Sequence, residues 1–496
     1  MVHGTMRVYL SAYAAALCVT ACSTLAAAPS EASQPRPNFV IVLADDLGYG
    51  DLACYGHPII KTPNLDRFAA QGVRLTDCYA AAANCSPART GLLTGRTPYR
   101  VGIHNWIPMN SPMHVKRGEI TVATLLRRAG YATCHVGKWH LNGRFNQLDQ
   151  PQPSDHGFDH WFSTQNNAMP WHKDPDNFVR NGKPVGPLKG YSAQLVVDEA
   201  IRWLKGGRDR RKPFFLYVCF HEPHEPIATD PRFADMYAQL ENPRQRAHHG
   251  NVTQMDDAFG RLARTLDALG LRDNTLVFFT SDNGPAITRA HPHGSTGPLR
   301  DKKGSMYEGG IRVPGMVCWP GHTRPGQVSG IAVSGVDVLP TFCAIAGVSV
   351  PTDRAIDGAD FRPALSGRPI TRKTPLYWQF NWARSEPKVA MRIGDFKLLA
   401  RQTGPEMKIR SDIDEAQSRA LKRAELAGFE LYNLRHDVGE TTDLSGTESA
   451  RLEKMSSTLR PHYREVRDES PTWPAWKCPH IEGKRIKAHR QSLKKR

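Results

Sequence analysis

Residues 39–46 read Phe39-Val40-Ile41-Val42-Leu43-Ala44-Asp45-Asp46, a continuous apolar run that ends in two carboxylates. A short run of this kind is typical of a strand that is buried on both faces of a sheet. Two further runs have the same character, and helical patterns lie between them. The runs are 214–220 and 276–280, and the helical patterns are 121–129, 193–204 and 252–269. Strands that alternate with helices predict an α/β fold built on a large, mostly parallel sheet.

Polar residues directly follow each of the three runs. They are Asp45-Asp46 after the first, residues 221–224 after the second and Asp282-Asn283 after the third. In parallel α/β sheets, ligands bind at the carboxyl ends of the strands. We therefore expect these residues to meet at one site.

Length and composition indicate a globular protein with a large domain and a smaller one. The chain has 496 residues, 40% of them hydrophobic, and a mean hydropathy of −0.47. A chain of this length exceeds what one small core organises. After Pro375 the pattern changes to strand-like pieces at 376–380, 389–393 and 396–400 and a charged helical stretch at 413–427. We predict an α/β domain at 38–375, an α+β subdomain at 376–465 and a basic tail at 466–496.

The N-terminus carries the pattern of an export signal. Arg7 precedes an apolar stretch at 8–19, which is too short to span a bilayer but suits a secretory signal. Residues 19–23 also resemble a bacterial lipoprotein cleavage box, in which Cys22 would become the lipidated first residue. The alternative is an ordinary signal peptide with an incidental cysteine. Both readings predict a signal peptide at 1–28, a linker at 29–37 and an exported protein that is periplasmic, lipoprotein-anchored at the membrane surface or secreted.

The ten cysteines are scattered singly, with no CxxC pair. This spacing indicates neither a zinc site nor a dense disulfide framework. Several lie in apolar, strand-like runs, where a cysteine usually acts as a small buried hydrophobe. We assign no pairing.

The formal net charge is +17, and part of it is concentrated in the tail, on Lys484, Arg485, Lys487, Arg490, Lys494, Lys495 and Arg496. A basic protein attracts polyanions. The sequence has no nucleic-acid recognition motif, and export argues against nucleic acid, so a sulfated polysaccharide is the better candidate partner. We interpret the tail itself as a solvated, disordered extension rather than a dedicated binding arm.

The most specific motif is Cys85-Ser86-Pro87-Ala88-Arg89-Thr90-Gly91. It closely resembles the signature of the sulfatase family, the formylglycine-dependent type I sulfatases. In that family a maturation enzyme reads C-x-P-x-R and oxidises the cysteine to formylglycine (3-oxoalanine). The resemblance implies that the hydrated aldehyde at position 85 attacks sulfur with one hydroxyl. The other hydroxyl then loses its proton, so that the carbonyl re-forms and sulfate leaves.

The same resemblance implies a site for one Ca²⁺ at Asp45, Asp46, Asp282 and Asn283, completed by the modified Cys85. Calcium accepts about 6 to 8 oxygen ligands, which carboxylates, an amide oxygen and a sulfate oxygen can supply. Related phosphodiesterases with two zinc ions usually place a His after the corresponding Asp and a Ser or Thr at the nucleophile. Asn283 and Cys85 depart from both patterns, so the site is expected to hold one hard cation.

The remaining residues of the resemblance are cations and acid–base groups. It implies that Lys138 and Lys303 bind the sulfate, that Arg89 and His140 orient the formylglycine diol, and that His224 protonates the leaving alcohol. A sulfate ester develops negative charge on the leaving oxygen, so fixed cations and a proton donor stabilise its transition state. His221 and Lys302 are close rivals of His224 and Lys303. The family's His-x-Pro pattern and the spacing to residues 307–310 favour His224 and Lys303.

The resemblance covers residues 38–444 and implies an alkaline-phosphatase-like α/β core with a C-terminal antiparallel sheet of four strands. Segments 278–284, 319–322 and 353–358 are most similar to N-acetylgalactosamine-6-sulfatases and arylsulfatase A-type enzymes. The loops expected to select the sugar match no pattern: 105–116, 163–176 and 289–295. We expect a sulfuric-ester hydrolase that acts on a sulfated carbohydrate, such as N-acetylgalactosamine-6-sulfate or a related sulfated polysaccharide, with aryl sulfates as side substrates.

Two alternatives stay open at this point. One is a phosphonate or phosphate ester hydrolase on the same formylglycine site, which Asn283 disfavours. The other is a non-catalytic sulfoglycan-binding protein in cells that cannot modify Cys85.

Overall fold

The computed structural model describes Met1, His3 and residues 36–289, 291–404 and 411–494. The contacts divide the chain into two units, Met1–Pro35 and Arg36–Arg496. Only Met1 and His3 of the first unit are described, so the predicted signal peptide, Cys22 and most of the linker at 29–37 lie outside the described residues. Among the helices that the structure describes, none is both long and apolar enough to cross a membrane.

The strands form one large sheet and two smaller ones. In chain order they are β1 (Asn38–Asp45), β2 (Val73–Leu75), β3 (Cys78–Tyr79), β4 (Ala132–Lys138), β5 (His160–Thr164), β6 (Val179–Arg180), β7 (Lys183–Pro184), β8 (Phe214–Pro223), β9 (Thr275–Ser281), β10 (Gly315–Cys318), β11 (Gln327–Ser329), β12 (Val333–Ser334), β13 (Leu376–Gln379), β14 (Val389–Ile393), β15 (Phe396–Gln402) and β16 (Leu426–Asn433).

The helices pack on both faces of the large sheet and beside the four-stranded sheet. They are α1 (Pro63–Gln71), α2 (Cys85–Thr94), α3 (Pro98–Val101), α4 (Val122–Arg128), α5 (Ser192–Arg202), α6 (Pro231–Ala234), α7 (Pro243–Ala268), α8 (Glu308–Ile311), α9 (Val338–Ala346), α10 (Glu415–Arg423), α11 (Ser449–Glu469) and α12 (Ile481–Lys494).

Strand β1 lies inside the large sheet, whose order is β11-β2-β10-β9-β1-β8-β4-β5-β6-β7. It pairs in parallel with β8 and with β9, while β10 runs antiparallel to β9 and makes the sheet mixed. All eight residues of β1 are buried. Phe39 and Ile41 pack into one hydrophobic layer, and Val40 and Val42 pack into the layer on the opposite face. This arrangement confirms the predicted α/β class and explains why the run is apolar without alternation.

The predicted helices are confirmed, with shifted ends. Helix α4 begins after Thr121, whose hydroxyl accepts a hydrogen bond from the Thr124 N–H at 3.0 Å. Helix α7 begins nine residues before the predicted 252–269, because Asn242 caps it and Pro243 occupies its first position. The first part of α7 is mostly polar, so its sequence does not show the spacing of apolar residues that is typical of a helix.

The C-terminal sheet is an antiparallel meander, β13-β14-β15-β16, with α11 packed against it. The three predicted strands are present. The predicted helical stretch at 413–427 is too long, because α10 ends at Arg423 and Leu426 already begins β16. The boundary between residues 375 and 376 stays a prediction.

The tail differs from the prediction of a disordered extension. Residues 481–494 form α12, which is held by residues far away in the sequence. The Glu482 carboxylate accepts hydrogen bonds from Asn166 Nδ2 at 2.9 and 3.1 Å, and Arg485 Nη2 donates to Asp176 at 2.8 and 2.9 Å. The interpretation as a disordered extension was wrong because composition does not reveal partners about 310 positions away. Lys495 and Arg496 lie outside the described residues.

Candidate active site

The carboxyl ends of β1 and β9 bring the four predicted oxygen donors together. The Asp46 N–H donates to Asp282 Oδ1 at 3.2 Å, and Asn283 Nδ2 donates to Asp46 Oδ1 at 2.7 Å. Asp45 is the last residue of β1, and Asp46 turns the chain with a φ of 65°. The positive φ is a conformation that Asp tolerates better than most residues. The expectation of one shared site at this sheet edge is therefore confirmed for these residues.

Cys85 lies at the first position of α2 and points at the end of β1. Its Sγ lies 3.7 Å from Asp45 Oδ1 and 3.3 Å from Lys303 Nζ. Burial raises the pKa of the Cys85 thiol to about 12, although Lys138 and Lys303 act in the opposite direction. The unmodified side chain is therefore a neutral thiol at physiological pH rather than a thiolate nucleophile.

Arg89 lies one turn further along α2 and is fully buried. Its Nε and Nη2 donate to Asp282 Oδ2 at 3.0 and 2.7 Å, and its Nη1 donates to the Lys138 carbonyl at 3.0 Å. Lys138 ends β4, and its Nζ donates to Asp45 Oδ2 at 2.7 Å. Burial by itself raises the pKa of Asp45, but the surrounding cations, Lys138 foremost, hold it well below its usual range. The Asp45 carboxylate is thus kept ionised by fixed positive charges, whereas burial and the neighbouring Asp45 raise the pKa of Asp282 to about 6.

The two predicted histidines line the cavity above Cys85. Burial and the nearby Lys138 lower the pKa of His140 well below its usual range, so its imidazole is neutral. His140 Nε2 lies 3.1 Å from the Ile107 carbonyl and donates to it, which leaves Nδ1 as a buried acceptor with no partner. His224 Nε2 lies 3.6 Å from Asp46 Oδ2, while its Nδ1 contacts the Glu225 carbonyl.

The structure also separates the two pairs of rivals. His221 is fully buried, lies with its Nε2 2.8 Å from Thr164 Oγ1 and does not line the cavity. Lys303, not Lys302, reaches the site, where its Nζ donates to Asp46 Oδ1 at 2.5 Å. Lys138 is buried behind Asp45, so His140, His224 and Lys303 are the predicted polar groups that face the cavity with Cys85.

The donor set suits a hard cation. Asp46 Oδ2 and Asn283 Oδ1 are buried and have no hydrogen-bond partner among the described residues. Ligand atoms of Asp45, Asp46, Cys85 and His224 lie within 4.8 Å of one another. Two buried oxygens without hydrogen-bond partners, close to the ionised Asp45 carboxylate, are costly without a cation. His224 belongs to this group by distance, although an imidazole is a poorer ligand for calcium than the oxygens of the neighbouring Asp282 and Asn283.

The cavity above Cys85 has a volume of about 480 Å³, and part of its wall was missed by the sequence analysis. The missed residues include Arg384, which follows β13, and Glu482, Ile486 and Arg490 of α12. The positive charge of the tail was the one available signal for Arg490. No pattern in the sequence singles out Arg384.

Comparison with protein families decides what kind of site this is. The model of the family described as Sulfatase matches residues 37–348, which include every site residue that the sequence analysis predicted. The chain belongs to the sulfatase family. A second model, described as N-sulphoglucosamine sulphohydrolase, C-terminal, matches residues 299–408 of this sulfatase. The chain is accordingly an enzyme that hydrolyses sulfate esters.

Named relatives cover most of this sulfatase. N-acetylgalactosamine-6-sulfatase of Sus scrofa is 37% identical over 71% of the chain and 70% of its own length. Arylsulfatase A of Homo sapiens is 35% identical over 88% of the chain and 89% of its own length. The resemblance to these two kinds of sulfatase is therefore confirmed.

Solved structures support the same fold. The structure titled Ps i-CgsB in complex with k-i-k-neocarrahexaose has a TM-score of 0.76 and 27% identity, and the match covers 91% of this chain and 97% of the other. The phosphonate monoester hydrolase of Agrobacterium radiobacter matches with a TM-score of 0.58 and 19% identity, over 88% of this chain and 96% of the other. At that identity the second likeness concerns the fold alone.

Proposed function

We propose that this sulfatase removes sulfate from a sulfated carbohydrate, with formylglycine at position 85 and one Ca²⁺ bound beside it. The observation that carries the proposal is the position of Cys85, with Lys303 at 3.3 Å, Asp45 at 3.7 Å and an open cavity above. The likeness to an N-acetylgalactosamine-6-sulfatase and to a structure solved in complex with k-i-k-neocarrahexaose supports a saccharide substrate.

The state of Cys85 supports its conversion before it acts. A thiol whose pKa is about 12 carries almost no thiolate at neutral pH, so the cysteine itself is a poor nucleophile. Formylglycine would supply a hydrated aldehyde whose hydroxyl attacks sulfur. His140 Nδ1, the buried acceptor without a partner, is suited to accept a hydrogen bond from a hydroxyl at position 85 and so to orient it.

Calcium would be held by Asp45, Asp46, Asp282 and Asn283, with the group at position 85 as a further ligand. The unpartnered Asp46 Oδ2 and Asn283 Oδ1 support this assignment. When bound, the cation would withdraw charge from the sulfate oxygens. Arg89 keeps Asp282 in place through its two hydrogen bonds, so we assign it a positioning role.

Lys303 would hold the sulfate, and His224 would handle the leaving group. Lys303 faces the cavity next to Cys85, and Lys138 supplies a second positive charge behind Asp45. His224 contacts the Glu225 carbonyl through Nδ1, so its Nε2 is the nitrogen on the side of Asp46 and the cavity, where it would carry the transferable proton. That proton would pass to the oxygen of the leaving alcohol as the S–O bond breaks.

The test is mass spectrometry of the peptide containing Cys85, from protein purified from its native host, together with sulfate release. We expect an aldehyde or its hydrate at Cys85, and turnover of a sulfated saccharide that a calcium chelator abolishes. Matched phosphate and phosphonate esters should be hydrolysed more slowly than the sulfate ester. An unmodified thiol in the native protein would refute the formylglycine assignment and favour the binding-protein alternative.

The proposal extends to maturation and export. A formylglycine-generating enzyme of the host would act on the C-x-P-x-R segment from Cys85 to Arg89. The signal at 1–28 would direct the chain out of the cytoplasm, with Cys22 as the candidate lipid anchor. Mass spectrometry of the mature N-terminus distinguishes a lipidated Cys22 from cleavage at another position.

A further inference from the structure

Helix α12 forms a wall of the active-site cavity. Glu482, Ile486 and Arg490 lie one helical turn apart and line the same cavity as Cys85 and Lys303. The helix is held on segment 163–176 by the bonds of Glu482 and Arg485, and its His489 ring lies 5.7 Å from the Trp171 ring. The cavity wall is therefore anchored by contacts at several points along the helix.

The two arginines on the cavity rim, Arg384 and Arg490, are not paired with the carboxylates beside them. The Glu482 carboxylate is occupied by amide donors, and Glu225 Oε1 accepts from Thr288 Oγ1 at 2.9 Å. Within the part of the chain that the structure describes, neither Arg384 nor Arg490 has a carboxylate partner, and both are exposed. Two guanidinium groups are thus available for a ligand, while both nearby carboxylates already have donors.

Each of these arginines is held beside the cavity. The Arg384 N–H donates to the Gly304 carbonyl at 2.7 Å, and the Arg384 side chain packs over Gly304, next to Lys303. The Arg490 guanidinium lies over the Trp171 ring, 5.6 Å from its centroid. Stacking of this kind restrains the guanidinium plane and leaves its N–H groups exposed.

We propose that Arg384 and Arg490 form a second anion subsite, which binds a carboxylate or a further sulfate group of the saccharide whose scissile sulfate lies at Cys85. This inference rests on the proposed function. A guanidinium group binds both kinds of oxyanion through paired N–H donors. The preferred substrate is therefore a saccharide with at least two anionic groups rather than a monosulfated neutral sugar.

The test compares Arg384→Gln, Arg490→Gln and the double variant in the formylglycine-containing full chain. Three substrates are used: a monosulfated neutral disaccharide, a disaccharide with one sulfate and one uronate, and a disulfated disaccharide. The measured quantity is kcat/KM for each doubly charged substrate divided by kcat/KM for the singly charged one. Each single variant should lower this ratio roughly tenfold, as expected for the loss of a charged hydrogen bond, and the double variant should lower it further.

Lys487→Gln is the matched control, since it removes one positive charge from the same helix at an exposed position that does not line the cavity. Its ratio should equal that of the unaltered protein. The uronate and the disulfated substrates distinguish which anion the subsite takes. Ratios of the arginine variants within about twofold of the unaltered protein, while that protein hydrolyses all three sulfates, would overturn the subsite alone. No turnover of any sulfate ester by the unaltered, modified protein would overturn the proposed function and the subsite with it.

Discussion

Replacing Asp46 with asparagine should remove most of the stabilisation of the fold by calcium. Asp46 has one oxygen bonded to Asn283 and Lys303 and another that is buried without a partner. Asparagine keeps the shape of the side chain and removes its charge. We expect the affinity for calcium to fall because charge count is a main determinant of calcium binding.

The size of the effect follows from linkage. At a calcium concentration 100 times the Kd, binding stabilises the folded state by ~2.7 kcal/mol. Unfolding entropy scales with chain length, and for a chain of this length it amounts to about 1 kcal/mol per degree near 60 °C. Calcium should therefore raise the Tm of the unaltered protein by ~3 °C. If Asp46→Asn weakens binding ~100-fold, the same concentration contributes ~0.4 kcal/mol, and the shift falls below ~0.5 °C.

The assay is thermal unfolding of chelator-treated protein, titrated with calcium chloride and, in parallel, with magnesium chloride. Asp51→Asn is the matched control, because Asp51 is also a buried carboxylate and lies five residues away. Its oxygens accept hydrogen bonds from the backbone N–H groups of Gly48 and Ser295, and it does not belong to the calcium site. It should retain the full calcium shift whatever its own Tm. An Asp46→Asn variant with an undiminished shift, or an unaltered protein that does not respond to calcium, would refute the reasoning.

Three further predictions concern different parts of the molecule. Lys397→Met should lower the free energy of unfolding by about 3–5 kcal/mol in urea, because Lys397 Nζ bonds the fully buried Glu308 and Glu440 at 2.9 and 2.8 Å. Burial raises the pKa of Asp51 to about 7, so its contribution to stability is complete below pH ~4 and is lost as the pH rises through 7. Between pH 5 and pH 7 the unaltered protein should lose on the order of 2 kcal/mol more than Asp51→Asn. His224→Gln should slow the hydrolysis of a sugar sulfate by about 10²- to 10⁴-fold and that of 4-nitrophenyl sulfate far less, because nitrophenolate leaves without a proton.

Each of these predictions has an outcome that contradicts it. A loss below about 1 kcal/mol for Lys397→Met would mean that the buried carboxylates find other partners or take up protons. Parallel pH profiles for Asp51→Asn and the unaltered protein would show that Asp51 is ionised in the fold. Equal losses on both substrates for His224→Gln would remove it from the role of proton donor.

The sequence indicated the core of the site because its residues lie in contiguous patterns. The run at 39–46 encodes both a buried strand and the carboxylates that follow it, and the motif at 85–91 places Cys85 and Arg89 one helical turn apart. Parallel pairing of β1 with β9 then brings Asp282 to Asp46. These placements depend on local periodicity and on the rule that parallel strands end at the same edge.

Other features depend on contacts that local patterns do not encode. Asn166 donates a hydrogen bond to Glu482 in the wall of the cavity, and nothing in either segment reveals the other. The polar start of α7 hid its first turns, and the proximity of β16 shortened α10. His221 and His224 are identical residues three positions apart, so the sequence does not show which of them faces the cavity. The direction of each side chain in the structure decides this.

The burial of the C-x-P-x-R segment bears on whether Cys85 is accessible to a modifying enzyme before or after the chain folds. Cys85 is 3% exposed and Arg89 is not exposed at all, and both lie in α2 against the end of β1. An enzyme that modifies Cys85 must bind the residues around it, and in the folded chain those residues are buried. If Cys85 is converted to formylglycine, as proposed, this burial requires the conversion to take place on the newly made chain, before folding.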